Sequence, residues 1–197
     1  NVPLDPVSNI GIVEFDDQGA AWRIVWGFKG NGVPTSELPS HLMVHAVRKD
    51  VTIGADRVLY HAHPDNVVAM TGVLPADARV FTRALWKAMT ECVIAVPKGV
   101  AALPWMVPGG TDIARATADA MIGRSACVWA QHGVFASAPS FDEAFGIVHA
   151  VEKAAGVWLK AQAATRARGT EPIEIPDEGL HAIAATYNLP IDDSMLD

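Results

Sequence analysis

The sequence predicts one α/β domain over residues 1–197, with a central, mainly antiparallel or mixed sheet covered by helices. Half of the 197 residues are hydrophobic, which is enough for one sizeable core without disulfide support. Short β-rich segments are bracketed by amphipathic helical segments, the pattern of an α/β domain. The first two β-rich segments, 11–16 and 21–28, flank an acidic turn that contains glycine. This arrangement is typical of a hairpin and argues against a purely parallel sheet.

The remaining elements are predicted from apolar residues at helical spacing, from capping residues and from short apolar runs. The clearest helix start is Ser140, because Ser140 and Glu143 form a capping-box pattern. Thr111 and Asp112 are expected to cap another helix. Predicted helices cover 34–49, 64–74, 77–91, 111–123, 140–164 and 179–187. Predicted strands cover 57–63, 93–96, 101–107 and 126–130.

Composition excludes several classes of partner. The formal net charge is −7 and no basic run is present, which argues against nucleic-acid binding. No apolar stretch approaches the ~20 residues of a membrane span. The two cysteines, Cys92 and Cys127, make no disulfide framework and are expected to be buried in a cytoplasmic protein. The charged fraction of 19% is below the usual quarter or so, which indicates that a partner subunit covers some surface.

Two histidines follow a predicted strand. His61 and His63 stand two residues apart, so on a strand their side chains point to the same face. Two imidazoles on one face can chelate one ion, although such a pair is equally often two ordinary, partly exposed histidines. The metal interpretation is favoured because the strand leads directly into a helix start at Pro64, and α/β folds bind ligands at strand ends.

A third histidine follows a second predicted strand. His132 comes directly after the apolar segment 126–130 and sits in a turn that contains glycine. Three protein ligands with one open position are the arrangement of catalytic zinc, whereas structural zinc more often has four ligands including cysteine. The sequence therefore predicts a three-histidine metal site formed by His61, His63 and His132.

Other histidines are expected to have structural roles. His41 and His45 are four residues apart on a predicted helix, a spacing that can also bind metal. No third ligand stands beside them, so packing or hydrogen bonding is favoured. His149 and His181 are expected to be structural or solvated.

Two carboxylates and two hydroxyls are candidates for the rest of a site. Glu37 is either a favourable charge at a helix N-terminus or a general base beside a metal-polarised substrate. Thr35 and Ser36 are either helix caps or phosphate ligands. Glu91 is predicted at a helix C-terminus, where an acid is unfavourable, and this makes it a candidate proton donor.

Six strings in the chain carry a resemblance to a known family. The strings are Gly32-Val-Pro-Thr-Ser-Glu-Leu-Pro, His61-Ala-His, Phe81-Thr-Arg-Ala-Leu-Trp, Thr90-Glu-Cys, Leu103-Pro-Trp-Met-Val-Pro-Gly and His132-Gly-Val-Phe. Together they resemble the class II (zinc-dependent) aldolase/epimerase family, in register from residue 1 to about residue 190.

The resemblance implies reversible cleavage of L-rhamnulose 1-phosphate to dihydroxyacetone phosphate and L-lactaldehyde. It implies one zinc ion per subunit, held by the three histidines of the predicted site. It implies that Glu37 exchanges the carbon-bound proton and that Glu91, supplied across a subunit interface, serves the aldehyde oxygen. Thr35 and Ser36 match part of the phosphate site, and the family is a homotetramer.

The chain also departs from the family's pattern. Family members carry an N-terminal segment with glycine-containing phosphate loops before the position of Asn1, and we expect this chain to lack it. Alternatives from related chemistry are another sugar-phosphate aldolase or a pentulose-phosphate 4-epimerase. A non-enzymatic interaction module with this fold is a further alternative, against which the retained histidines and carboxylates argue.

Overall fold

The computed structural model describes residues 6–17, 21–30 and 32–196, and divides the chain into two compact units, Asn1–Leu38 and Pro39–Asp197. In the first unit, a short helix α1 (Pro6–Asn9) precedes two strands, β1 (Gly11–Phe15) and β2 (Trp22–Gly27), which pair antiparallel. The predicted hairpin is therefore confirmed. Residues 18 and 19 of its predicted turn lie outside the described residues.

The second unit contains the elements that carry the three histidines. Its strands are β3 (Val58–Ala62), β4 (Ala101–Leu103), β5 (Ala126–Trp129) and β6 (Gly133–Ala138). Its helices are α2 (Leu38–Val51), which begins at the last residue of the first unit, α3 (Asp65–Thr71), α4 (Ala78–Ala88), α5 (Thr90–Ala95), α6 (Thr111–Ala120), α7 (Phe141–Arg168) and α8 (Asp177–Tyr187). A 3₁₀ turn follows at Asp193–Met195.

The four strands of this unit form one mixed sheet with the order β3-β6-β5-β4. Strand β6 pairs antiparallel with both β3 and β5, whereas β4 pairs parallel with β5. The predicted mixed, mainly antiparallel sheet covered by helices is confirmed. In the register of β3 and β6, His61 lies opposite Phe135.

The core lies against the two central strands. Every residue of β5 and β6 is buried. The long helix α7 packs on β3 and β6, and helices α3, α4 and α5 pack on α7. Cys92 and Cys127 are buried free thiols, as predicted, and burial raises the pKa of each to about 12. The largest fully buried side chains are Trp86, Trp129, Phe81, Phe135 and Met70.

Between residues 77 and 107, one predicted element was wrong and two end earlier than predicted. The helix predicted over 77–91 stops at Ala88, because Met89 adopts an extended conformation with φ −157° and ψ 126°. A new helix, α5, then covers the segment 93–96 that was predicted as a strand. The strand predicted over 101–107 ends at Leu103. Apolar runs of four residues fit a buried helix and a buried strand equally well, so periodicity could not separate them.

Helix starts and one strand also differ from prediction. Ser140 is the N-cap of α7, as predicted, and its hydroxyl accepts a hydrogen bond from the Glu143 backbone N–H at 3.2 Å. The cap predicted at Thr111 and Asp112 was wrong, because Gly110 holds the N-cap position of α6 without a side-chain bond. Strand β6 was not predicted, since its small residues show no alternation.

None of the helices in the described part of the chain combines the length and the apolar character needed to cross a membrane.

Candidate metal centre

The first two histidines sit where β3 ends. His61 is the fourth residue of β3, and His63 follows the last residue of the strand. The His61 ring stacks on Phe135 of β6, with ring centroids 4.1 Å apart. Its Nδ1 lies 3.0 Å from the carbonyl oxygen of Val134. A carbonyl only accepts hydrogen bonds, so Nδ1 carries the proton and Nε2 presents a lone pair.

The third histidine sits in the tight turn between β5 and β6. His132 donates its backbone N–H to the carbonyl oxygen of Trp129 at 3.2 Å. The residue before it, Gln131, adopts a left-handed conformation with φ 53°, which is uncommon outside glycine. The His132 ring meets the Trp129 ring edge-on, with centroids 5.1 Å apart. The turn leads directly into β6, which pairs with β3.

The three imidazoles converge on one point. The distances are 3.0 Å from His61 Nε2 to His63 Nε2, and 3.0 Å from His63 Nε2 to His132 Nε2. The ligand nitrogens of all three residues lie within 4.8 Å of one another. An ion with Zn–N bonds of ~2.0–2.1 Å can bridge nitrogens at this spacing. The donor set fits a metal ion with three imidazole ligands and further open positions.

Burial keeps the imidazole of His61 neutral. Burial lowers the pKa of His61 to about 3, while its hydrogen bond to the Val134 carbonyl opposes this shift. The neighbouring imidazoles of His63 and His132 lower the pKa further. A neutral imidazole is the form that binds a metal ion, so His61 can bind without first losing a proton.

Glycine at the start of β6 allows this convergence. A Cβ atom at Gly133 would lie 2.3 Å from the carbonyl oxygen of Ala62 and 2.9 Å from Cδ2 of His63. Both distances are too short for real contacts. The close approach of the two strands beside His63 therefore requires glycine at this position.

The other histidines make packing and hydrogen-bonding contacts. The His41 ring packs edge-on against Phe135, with centroids 5.2 Å apart, and burial lowers the pKa of His41 and of His45. His149 stacks on the neighbouring aromatic ring one helical turn away in α7. His181 lies 2.8 Å from a carboxylate oxygen of Asp193.

The predicted base and phosphate ligands lie in the first unit. The Thr35 hydroxyl accepts a hydrogen bond from the backbone N–H of Glu37 at 3.2 Å. The Thr35 carbonyl oxygen accepts from the backbone N–H of Leu38 at 3.2 Å, at the start of α2. Thr35 therefore acts as a local cap, and Ser36 is exposed. The catalytic role of Glu37 and the phosphate roles of Thr35 and Ser36 stay predictions.

The reason given for suspecting Glu91 was wrong. Glu91 does not end an amphipathic helix; it lies in the first turn of α5, where an acid is favourable for the helix dipole. Its side chain is exposed. The described group of possible metal ligands does not include Glu91. Its role as an acid supplied across an interface stays a prediction, supported by the resemblance alone.

Three residues that belong to helix α3, contact it or lie in the His132 turn were not predicted from the sequence. Gln131, Thr71 and Glu152 form hydrogen bonds around helix α3, between the positions of His63 and His132. Glu152 is 86 residues from its partner, so no local pattern could reveal it. The left-handed conformation of Gln131 follows an ordinary strand end, and nothing in the residue type signals it.

Residues 1–159 match the family described as the class II aldolase and adducin N-terminal domain. A rhamnulose-1-phosphate aldolase from Escherichia fergusonii is 49% identical over 160 residues, which are 81% of this chain and 58% of that protein. The chain thus spans 58% of the length of this relative.

Two solved structures resemble the chain in three dimensions. A sugar-phosphate aldolase from Thermotoga maritima matches with a TM-score of 0.64 and 30% identity, over 73% of this chain and 59% of that one. An L-fuculose 1-phosphate aldolase matches with a TM-score of 0.58 and 26% identity, over 84% of this chain and 68% of that one.

Proposed function

Because this chain belongs to the class II aldolase and adducin N-terminal domain family, we propose that its protein catalyses reversible aldol cleavage of L-rhamnulose 1-phosphate. The products are dihydroxyacetone phosphate and L-lactaldehyde. The observation that carries this proposal is the convergence of three imidazole nitrogens from two strand ends. The identity of 49% to a rhamnulose-1-phosphate aldolase supports the choice of substrate.

The metal of this proposal is zinc, held by His61, His63 and His132. Three nitrogen ligands without cysteine are typical of catalytic zinc with an open coordination position. When bound, the ion supplies Lewis acidity that polarises the substrate carbonyl and stabilises negative charge on its oxygens. Burial keeps the His61 imidazole neutral, and the Val134 carbonyl orients it.

The proposed reaction breaks one carbon–carbon bond. The bond between C3 and C4 of the sugar phosphate breaks, and the C4 hydroxyl loses its proton, so that C4 becomes the aldehyde carbon of L-lactaldehyde. The electron pair of the broken bond is delocalised toward the C2 carbonyl. It forms a new C–H bond when C3 accepts a proton, which completes dihydroxyacetone phosphate.

Two carboxylates divide the proton transfers in this proposal. Glu37 delivers the proton to C3 in cleavage and removes it in the reverse direction, as a general acid and base. Glu91 of the partner subunit serves the aldehyde oxygen. Thr35 and Ser36 bind the phosphate group with hydroxyl and backbone donors.

A homotetramer completes the proposal, because Glu91 then reaches a neighbouring subunit's site. The low charged fraction of 19% supports a covered surface. Large exposed apolar side chains also support it, such as Phe141, which is 80% exposed, and Trp105, which is 62% exposed.

A cleavage assay on the zinc-loaded, full-length protein tests the proposal. Formation of dihydroxyacetone phosphate from L-rhamnulose 1-phosphate is followed through a coupled reductase that consumes NADH. The Glu37→Gln variant is expected to keep zinc and lose ~10²–10⁴-fold in rate, the contribution of a positioned acid–base group. Glu171→Gln, a change at an exposed glutamate, is the matched control. If Glu37→Gln cleaved the substrate at the wild-type rate, Glu37 would not be the acid–base group.

The substrate is tested in the same assay. L-Fuculose 1-phosphate is the competitor, because a structure of its aldolase also resembles this chain. Faster cleavage of L-fuculose 1-phosphate would replace the proposed substrate. Cleavage of neither sugar phosphate by zinc-loaded protein would favour the non-enzymatic interaction module.

A further inference from the structure

Helix α3 spans the distance between two of the three histidines. His63 is two residues before its first residue, Asp65, and the last residue, Thr71, contacts the turn that carries His132. The position of this helix therefore affects the relative placement of His63 and His132. Both ends of the helix are anchored by contacts distant in sequence.

The N-terminal end of α3 is held by a carboxylate from α7. Glu152 accepts hydrogen bonds from the backbone N–H of Asn66 at 3.0 Å, from the Asn66 side-chain amide at 2.6 Å and from the backbone N–H of Val67 at 2.9 Å. Pro64, the N-cap residue, makes no side-chain cap bond. Glu152 thus satisfies two of the free N–H groups of the helix start from a different element.

Close packing supports this anchor. Gly156 lies one turn beyond Glu152 on α7, and a Cβ atom there would lie 3.0 Å from the Asn66 side-chain amide. A larger residue at Gly156 would push the Asn66 amide away. The α7 surface is therefore shaped to receive the start of α3, just after His63.

The C-terminal end of α3 is held to the turn of the third histidine. The Thr71 hydroxyl accepts the backbone N–H of Gln131 at 2.9 Å, and the Thr71 carbonyl accepts the Gln131 side-chain amide at 2.9 Å. Gln131 adopts its left-handed φ of 53° directly before His132. Two hydrogen bonds from one residue to one partner hold this strained conformation in place.

We propose that Thr71 and Gln131 are positioning residues that fix His132 relative to His63 for metal binding, with α3 as the connecting element and Glu152 as its second anchor. This rests on the proposed role of the three histidines as metal ligands. Neither residue needs to touch the ion. They act by holding the turn, and therefore the His132 imidazole, in the orientation that brings the three nitrogens together.

The proposal is tested by measuring the metal affinity of substitution variants, with no substrate present. Zinc affinity of the full-length protein is measured by competition with a chromophoric chelator, and cobalt(II) absorption reports the ligand geometry. Thr71→Val is expected to lower zinc affinity ~10–100-fold, the loss typical of outer-shell partners, and to alter the cobalt spectrum. Thr71→Ser keeps the hydroxyl, so its zinc affinity and its cobalt spectrum are expected to match those of the wild-type protein.

The matched control is a second buried threonine with the same bonding. The Thr71 hydroxyl donates to the Val68 carbonyl oxygen and accepts the Gln131 backbone N–H. The Thr82 hydroxyl likewise donates to a backbone carbonyl and accepts a backbone N–H, both from Val100. Thr82→Val is therefore expected to lower the melting temperature as Thr71→Val does, with zinc affinity and the cobalt spectrum unchanged. Equal losses of affinity in the two variants would overturn the proposal, because they would reflect general destabilisation.

A second substitution keeps the test decisive if Thr71→Val does not fold. Gln131→Met keeps the side-chain length but removes the amide donor to Thr71, and it is expected to lower zinc affinity as well. Unchanged affinity and an unchanged cobalt spectrum in Gln131→Met would overturn the proposal. A protein that binds zinc but cleaves no sugar phosphate would contradict only the proposed function, since affinity is measured without substrate.

Discussion

The two ends of the β3–β6 strand pair carry polar groups of opposite character. At the end where β3 begins, which we call the arginine end, Arg48, Asp56 and Ser137 form a charge-balanced network. At the end where β3 finishes, which we call the histidine end, the imidazoles of His61, His63 and His132 converge. The same two strands position both groups, so the strand pairing alone does not determine which end binds a ligand.

The arginine end is complete within the chain. Arg48 Nε and Nη2 donate to one carboxylate oxygen of Asp56 at 3.0 and 2.7 Å, and Nη1 donates to the carbonyl oxygens of Met121 and Arg124 at 3.0 Å. The Ser137 hydroxyl donates to the same carboxylate oxygen at 3.1 Å. The charges of Arg48 and Asp56, whose side chains are 10% and 9% exposed, balance each other.

The histidine end brings together three basic nitrogens, an arrangement that favours a cation. We therefore expect a binding site where like groups converge, rather than wherever polar groups are buried. Substitutions at the two ends should therefore have different consequences: metal affinity should depend on the histidine end, and the free energy of unfolding should depend mainly on the arginine end.

His132→Ala is expected to have the largest effect. Loss of a direct ligand should lower zinc affinity by more than the ~10–100-fold typical of an outer-shell partner. The free energy of unfolding of the metal-free protein should change little, because His132 is only half-buried. Zinc content and chelator competition measure the effect, with His149→Ala, an exposed position on α7, as the control. Full zinc occupancy in His132→Ala would refute the three-histidine site.

Arg48→Met tests the arginine end. It leaves the buried Asp56 carboxylate without its guanidinium, so the free energy of unfolding should fall by about 3–5 kcal/mol. Urea unfolding measures this, and zinc affinity of the folded protein should be unchanged. The double variant Arg48→Met with Asp56→Leu should recover part of the loss, because no unpaired charge remains. An unchanged unfolding midpoint in the single variant would show that the network contributes nothing.

Acid should destabilise the metal-free protein through the histidine end. The pKa of His61 is lowered to about 3 in the folded state by burial, whereas an unfolded histidine has a pKa near 6.5. Below pH 6.5 the unfolded chain binds a proton that folded His61 does not. The contribution of His61 to stability is therefore complete above that pH, and it is lost as the pH falls toward 3, by at most ~1.4 kcal/mol per unit.

Urea unfolding at a series of pH values, with a chelator present, measures this slope. His61→Asn is expected to reduce the slope, and the remainder comes from His41 and His45, whose pKa values burial also lowers. His149→Asn is expected to keep the full slope. The same slope in the wild-type protein and the His61→Asn variant would exclude His61 as its source.

Ile53→Asn should have the smallest effect, and a stabilising one. Both ends of the strand pair have a left-handed residue other than glycine nearby: Gln131, with φ 53°, beside the histidines, and Ile53, with φ 54°, in the loop before Asp56. Ile53 is β-branched and 95% exposed, so burial of its side chain does little to offset the strain. Asparagine tolerates this conformation, and the free energy of unfolding should rise by ~1 kcal/mol. A thermal melt that shows lower stability would mean that Ile53 makes a contact that stabilises the fold.

Local chemistry explains what could be predicted from the sequence. The capping box at Ser140 marks the start of α7, because both partners are within one turn. The period of two along a strand predicted that His61 and His63 share a side, and the strand-end position of His132 predicted that it joins them. The structure brings the three together, while their role as metal ligands stays a prediction.

Tertiary contacts explain what could not be predicted. Strand β6 is buried at every residue, so it has none of the alternation that reveals a half-buried strand. The break at Met89 turned a predicted helix end into the start of α5 and reversed the electrostatic argument about Glu91. The anchors Glu152 and Thr71 act across 86 and 60 residues of sequence, beyond any local pattern.

Proton exchange on dihydroxyacetone phosphate tests the central claim most directly. The zinc-loaded, full-length protein is incubated with dihydroxyacetone phosphate in deuterated water, and loss of a carbon-bound proton signal is followed by NMR. We expect exchange that a chelator abolishes and added zinc restores, and that His132→Ala lacks. Exchange that persists under chelation, or no exchange from the zinc-loaded protein, would contradict a metal-dependent catalytic site at the histidine end.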